Sequence, residues 1–250
     1  MEEVKDDLER IKEKLRKLMR KEESARELGN LAEAEAFATK IQQMLINYEL
    51  EIAEIKDSSD REILSIDEEL IDCSLLTNRH ESSWVVFLYD AAAKGNFCKV
   101  IITGGGISKL QIILIGNPIN KEFTHYMVHQ MLSKLRNLSR LSFKEYKGAD
   151  KRNTYIRSFL RGASTGLGYR LLEELKNQSR MHEKTNAMVI NKGAQLQDYM
   201  NKTRPNLGSS KARKTTSGAG YSNGYTAGKN VSINKGVASK GKVKEQRLLN

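Results

Sequence analysis

The chain reads as an α+β protein: an N-terminal antiparallel helical hairpin, then a helix-rich domain carrying a small β-hairpin sheet. Three observations predict this. Near the N-terminus, apolar residues step by four and three along one helix face. Further on, two short apolar runs flank Gly104-Gly105-Gly106. Long amphipathic stretches follow, and the 250 residues contain only two prolines to interrupt them.

The first stripe is Val4, Leu8, Ile11, Leu15 and Leu18, an a/d seam with Glu, Lys and Arg on the remaining faces in i,i+4 pairs. Gly29-Asn30 breaks the pattern. A second helix places Leu31, Ala34, Ala38, Ile41, Leu45 and Tyr48 on one side, and its alanines let two helices approach closely. The pair makes a hairpin over residues 3–50, within a segment 1–56, with a polar turn expected at Lys21–Asn30. Residues 57–82 read as an acidic linker. Seven acids and one arginine fall in 57–72, the pattern of a solvated linker or surface helix. A sharper reading makes this run an internal decoy for the basic half of the chain.

Residues 83–204 read as the α+β domain. Trp84–Ala93 fits a strand or a helix, with the spacing closer to helical and Gly95-Asn96 as a stop. Phe97–Thr103 and Leu110–Ile115 read as a hairpin that turns at the three glycines and ends at Asn117-Pro118. A helix from Lys121 toward Leu138 turns Phe123, Met127, Val128, Met131, Leu132 and Leu135 inward. A loop is expected over Ser142–Asn153, then helices over Tyr155–Gln178 and Thr185–Met200. Residues 205–250 form a basic Gly/Ser-rich tail. Within it, 205–230 reads as flexible on composition, with Tyr221 and Tyr225 as its only aromatic anchors.

Charge is spread unevenly. Residues 1–133 hold 17 Lys+Arg and 24 Asp+Glu, net −7; residues 134–180 hold 12 and 4, net +8; residues 201–250 hold 11 and 1, net +10. A polyanionic partner for the basic half is expected. Arg136, Arg140 and Lys144 are spaced by four and share a face if their helix continues. Lys147, Lys151, Arg152, Arg157 and Arg161 come next, interleaved with Phe143, Tyr146 and Tyr155. Cations of this kind neutralise phosphates, and exposed rings stack on bases. Lys211, Arg213, Lys214, Lys240, Lys242 and Lys244 add a tail that raises non-specific affinity. No residue pattern points to sequence-specific readout.

Other chemistries find less support. His125 and His129 lie four apart, the spacing of two zinc ligands on a helix face, but Tyr126 stands where a metalloprotease carries its glutamate. Candidate third ligands are His80, His182, Cys98 and Asp90. Gly224-Tyr-Thr-Ala-Gly228-Lys229 has three residues between its glycines rather than four, and Asn230 rather than Ser or Thr after the lysine, so it is no phosphate loop. Gly162 and Gly166 follow no strand, which suits close helix packing rather than dinucleotide binding. Two cysteines make no disulfide framework and suit a reducing cytosol. The acidic start lacks a signal-peptide core, and the apolar runs are too short to span a bilayer. A cytoplasmic protein with no membrane partner and no cofactor is expected.

The segment LERIKEKLRKLM with AEAEAFATKIQQMLINYEL resembles the helical hairpin of the bacterial and phage family called domain of unknown function 2786. Ile11, Leu15, Leu18, Glu35, Ala36, Ala38, Met44, Leu45 and Tyr48 fill similar places. Trp84, Gly116, YIRSFLRGASTGLGYRL and GYSNGYTAGKNVSI resemble the companion domain that succeeds it. The resemblance implies a phage or prophage setting, and it implies that residues 218–236 are ordered, against the reading from composition. The leading expectation is a non-enzymatic protein that binds nucleic acid through phosphates with little sequence specificity. One alternative is a protein-interaction module built on the 3–50 hairpin. A second is a metal-dependent hydrolase around His125 and His129.

Overall fold

The computed structural model describes residues 2–30, 32–34, 36–37, 40–41, 44, 48, 66–76, 82–103, 110–181, 183–208 and 216–231. The protein is mostly helical with one small antiparallel sheet, as an α+β chain should be. Leu50–Ser232 forms one compact unit, and the helices within Glu2–Glu49 belong to another.

In the N-terminal unit, helix α1 spans Glu2–Glu27. The polar turn expected from Lys21 is therefore shorter. The helix continues because its seam continues: after Leu15 and Leu18 come Glu22 and Ala25, both buried. A glutamate at a seam position hides the last turns from a reading of apolar spacing. The helix stops at Gly29, whose φ of 75° suits glycine. Asn30 then caps the second helix. Its side-chain oxygen accepts from the Glu33 N–H at 3.3 Å, and its amide donates to Glu33 Oε2 at 2.8 Å. The described residues of 32–48 are helical, with Ala34, Ile41 and Tyr48 buried.

In the larger unit, β1 (Asp67–Asp72), β2 (Lys99–Thr103) and β3 (Gln111–Gly116) form a sheet in the order β1-β3-β2. The antiparallel pairing of β2 with β3 agrees with the sequence reading; the turn expected at Gly104-Gly105-Gly106 lies outside the described residues. Strand β1 corrects that reading, since residues 67–72 were expected within a linker or surface helix. Ile71 stands opposite Ile112 and is buried, whereas Leu70 stands opposite Ile113 and is 62% exposed. Strand β3 is central, and its Ile112, Leu114 and Ile115 are fully buried.

Helix α2 (Ser82–Gly95) is buried on most sides, through Trp84, Val85, Val86, Leu88, Tyr89 and Ala91 to Ala93. It is a helix rather than a strand, and it lies at the centre of the unit. Helix α3 spans Pro118–Glu145. It starts before Lys121 because Asn117 accepts from the Ile119 N–H at 2.9 Å and Pro118 occupies the first turn. It also passes Leu138, so the connection to α4 (Arg152–Met181) is residues 146–151 and not the expected Ser142–Asn153. Helix α5 is Glu183–Thr203.

Helix α6 (Gly218–Asn230) overturns the flexible reading of 205–230 where it applies. Ser217 caps it by accepting from the Gly220 N–H at 2.9 Å. Its glycines let its backbone touch that of α4. A Cβ placed on Gly224 or Gly228 would lie 2.0 Å from the carbonyl oxygen of Phe159 or Ala163. A Cβ on Gly162 or Gly166 of α4 would lie 2.1 Å from the carbonyl of Tyr221 or Tyr225. Gly162 and Gly166 thus serve close helix packing, as their sequence setting suggested. Gly224 and Gly228 are buried in the same contact and cradle no phosphate. The order expected from the family resemblance holds over Gly218–Asn230; residues 232–236 lie outside the described residues.

Candidate nucleic-acid interface

Helix α3 does continue through Arg136, Arg140 and Lys144, which places them about 6 Å apart along one face. Arg140 and Lys144 are exposed, whereas Arg136 is half-buried with its guanidinium 5.7 Å from the centre of the Trp84 ring. On α4, Arg152 and Arg157 are exposed and Arg161 is half-buried, 4.7 Å from the Phe87 ring centre. Trp84 and Phe87 are three residues apart on α2, so α3 and α4 each lay one arginine on neighbouring rings of one helix. Lys147 and Lys151, in the short connection between α3 and α4, are exposed.

The one acid in that connection, Asp150, is held by two hydroxyl groups. The Asp150 carboxylate accepts from the Ser217 hydroxyl at 2.5 Å and from the Tyr146 hydroxyl at 2.8 Å. These bonds hold its carboxyl below the ordinary carboxylate range and push the Tyr146 hydroxyl up. The Ser217 N–H donates to Ser158 Oγ at 3.1 Å, which ties the cap of α6 to α4. The connection is thereby fastened to α6 through its acid while its lysines face solvent.

The aromatic residues of the stripe do not serve as the sequence suggested. Tyr155 lies between Phe143 and Tyr146, at ring-centre distances of 5.4 and 4.4 Å. It is fully buried, and its hydroxyl bonds to Ser142 and Asn223, each at 2.8 Å. These rings pack against one another in tilted contacts at the junction. Among the described residues the one exposed tyrosine is Tyr169, with Tyr225 and Tyr221 half-buried. Tyr169 on α4 is 61% exposed and meets Tyr225 of α6 edge to face at 5.9 Å. Tyr221, one turn before Tyr225, is half-buried. Their i,i+4 spacing in a glycine-rich run was the available signal, but it has meaning only once that run is helical.

The acids of β1 engage other side chains. Asp67 pairs with Lys121 at 2.6 Å, and Glu69 meets His125 Nε2 at 3.1 Å. Glu68 accepts from both terminal nitrogens of Arg204 and from the Tyr199 hydroxyl at 3.1 Å. The Arg204 hydrogen bond holds the Glu68 carboxyl down and the guanidinium up. This fastens the end of α5 to the sheet. Lys121 and Arg140 are separated by about 28 Å along α3 at 1.5 Å per residue. That is well beyond the roughly 8 Å screening length at physiological salt, so the Asp67 and Glu69 pairs do not screen Arg140; Asp57, Asp60 and Glu62 of the expected decoy run lie outside the described residues.

The histidine pair is divided. His125 has both ring nitrogens engaged, Nε2 with Glu69 and Nδ1 with the Tyr89 hydroxyl at 3.0 Å. His129 is exposed. Asp90 pairs with Lys94, Cys98 is buried, and His80 and His182 lie outside the described residues. Among the described residues no group of three His, Cys, Asp or Glu is placed to hold a metal. Burial pushes the Cys73 thiol up to about 12, with Asp72 adding to the effect. Lys211, Arg213, Lys214, Lys240, Lys242 and Lys244 also lie outside the described residues.

No family model, curated protein or solved structure matches this chain. No helix among the described residues is long and apolar enough to cross a membrane.

Proposed function

We propose that the protein binds nucleic acid through its phosphates, with little sequence specificity, at the junction of α3 and α4. One observation carries this reading. Arg140, Lys144, Lys147, Lys151, Arg152 and Arg157 are all exposed around one short connection, against two acids there, Glu145 and the hydroxyl-bonded Asp150. Solvent-facing lysines and arginines suit phosphate contacts, which fix position without reading sequence. The tail cations, from Lys211 to Lys244, extend the same polyanion affinity.

A salt titration of binding to short DNA and RNA tests it. Each phosphate contact contributes about 0.9 to the slope of log K against log salt on duplex DNA. A slope of several units is expected. Replacing Arg140, Lys144, Lys147 and Lys151 with glutamine should lower it by up to about 3.6. Absence of binding at low salt sinks the proposal. The tail is tested by substituting Lys240, Lys242 and Lys244, because cutting the chain after Arg204 would also remove α6 from α4.

A second reading rests on the N-terminal unit. Residues 2–48 then form an antiparallel helical hairpin that docks a protein partner or a second copy. Its support is the short Asn30-capped turn, the Lys21 ammonium 5.8 Å from the Phe37 ring centre, and Leu28 at 82% exposure. Concentration-dependent sedimentation without nucleic-acid binding favours it.

A further inference from the structure

We propose that Tyr169, Tyr225 and Tyr221 form a ledge on which the bases of a single-stranded nucleic acid stack. This ledge deepens the phosphate-binding reading and rests on it.

The ledge arises from how α4 and α6 meet. Gly162, Gly166, Gly224 and Gly228 bring the two backbones into contact, which leaves no room between the helices for a tyrosine ring. Tyr221 and Tyr225 therefore project beside the contact, about 6 Å apart along α6. Tyr169 reaches the same place from α4. Its ring lies 5.9 Å from that of Tyr225 with the planes at 67°. In this edge-to-face pair, one ring lends an edge and keeps both its faces. Tyr169 is 61% exposed, although a ring of that size normally buries most of its area. Beside the rings α6 presents small polar groups, Ser222 and Thr226, both exposed.

Charge decides the occupant. Helices α4 and α6 together hold seven Lys/Arg and two Glu. Lys229 is exposed one turn beyond Tyr225 and Arg157 is exposed on α4, against Glu173, exposed one turn beyond Tyr169, and Glu174, paired with Arg170. A polyanion whose bases offer π-faces is accommodated on both counts. Duplex bases are already stacked, so the ligand is single-stranded.

The test uses the full chain, a fluorescein-labelled oligothymidylate and a matched duplex, with anisotropy read across salt. Tyr169→Leu and Tyr225→Leu should each weaken single-strand binding roughly five- to hundredfold. Duplex binding and the salt slope should not change. Tyr169→Phe keeps the ring and should bind as the wild type does. Single-strand binding unchanged in both leucine variants overturns the ledge, and so does an equal loss on the duplex. In either case the phosphate reading stands if neutralising Arg140 and Lys144 still lowers the slope. No binding of any strand at low salt overturns both. If Tyr225→Leu lowers the melting temperature, the exposed Tyr169 pair of variants carries the result.

Discussion

Gly224→Ala tests the packing on which both the fold and the ledge depend. The added Cβ would lie 2.0 Å from the Phe159 carbonyl oxygen, whereas ordinary contact begins at 3.4 Å, so α6 must retreat by about 1.4 Å. Overpacking of this kind costs about 1–3 kcal/mol. Alanine returns about 0.5–1 kcal/mol of helix propensity. The net effect is a loss of up to about 2.5 kcal/mol, or a fall in melting temperature of up to about 10 °C for a unit of this size. Gly193 provides the opposite sign. It sits exposed within α5 with nothing within 4 Å of a Cβ, so Gly193→Ala should gain about 0.5–1 kcal/mol. Thermal unfolding followed by circular dichroism measures both. Adding Gly162→Ala to Gly224→Ala should cost less than the sum, because one retreat of α6 relieves both clashes. If Gly224→Ala stabilises as Gly193→Ala does, the helices do not touch through these glycines and the ledge loses its support.

Three further outcomes are expected. Cys73 and Cys98 are buried, and the Cys73 thiol titrates only at about 12, so alkylation at neutral pH should be slow and limited by unfolding; labelling at the free-thiol rate in native buffer would contradict this. Glu68 has its carboxyl held down by Arg204, so its contribution is complete above the unfolded carboxylate range near 4.3 and is lost as pH falls through the lowered value. Glu68→Gln should therefore cost up to about 1 kcal/mol at neutral pH, and the difference should vanish in acid, read as urea midpoints. Asp150 is likewise held down, by Ser217 and Tyr146, so Asp150→Asn should reduce hydrogen-exchange protection at the start of α6 near neutral pH, and acid should do the same to the wild type; unchanged protection in the variant would sink the clasp.

The parts of the fold that the sequence made legible are those where one physical cause dominates. β3 is a nearly continuous apolar run, the core face of α3 has helical apolar spacing, and α2 reads as closer to a helix than a strand. The failures occur where a polar residue does a packing residue's work. Glu22 occupies a seam position and conceals the end of α1. Asp67, Glu68 and Glu69 look solvated until Lys121, Arg204 and His125 are placed beside them by elements about 50 to 140 residues away in the chain. The α6 glycines imply flexibility only if no second helix presents Gly162 and Gly166 to them. For the site, the stripe cations were legible from spacing by four. The roles of the rings were not, since Tyr155 is buried and Tyr169 exposed for reasons set wholly by tertiary packing.

The glycines of the α4–α6 contact also link the junction to the ledge. β1 commits its carboxylates to the start of α3, about 28 Å of helix away from Arg140, and to the end of α5, and these pairs fasten the fold. Asp150, an ionised acid of the junction beside the exposed Glu145, is engaged by Ser217, and Ser217 is positioned because α6 lies against α4. A shift of α6 therefore has two consequences: it loosens the Asp150 clasp, and it moves Tyr225 away from Tyr169. Gly224→Ala should accordingly weaken single-strand binding even though it alters no cation and no ring. The loss should exceed that of duplex binding, because the lysines of the connection remain exposed whereas the two-helix ledge is broken.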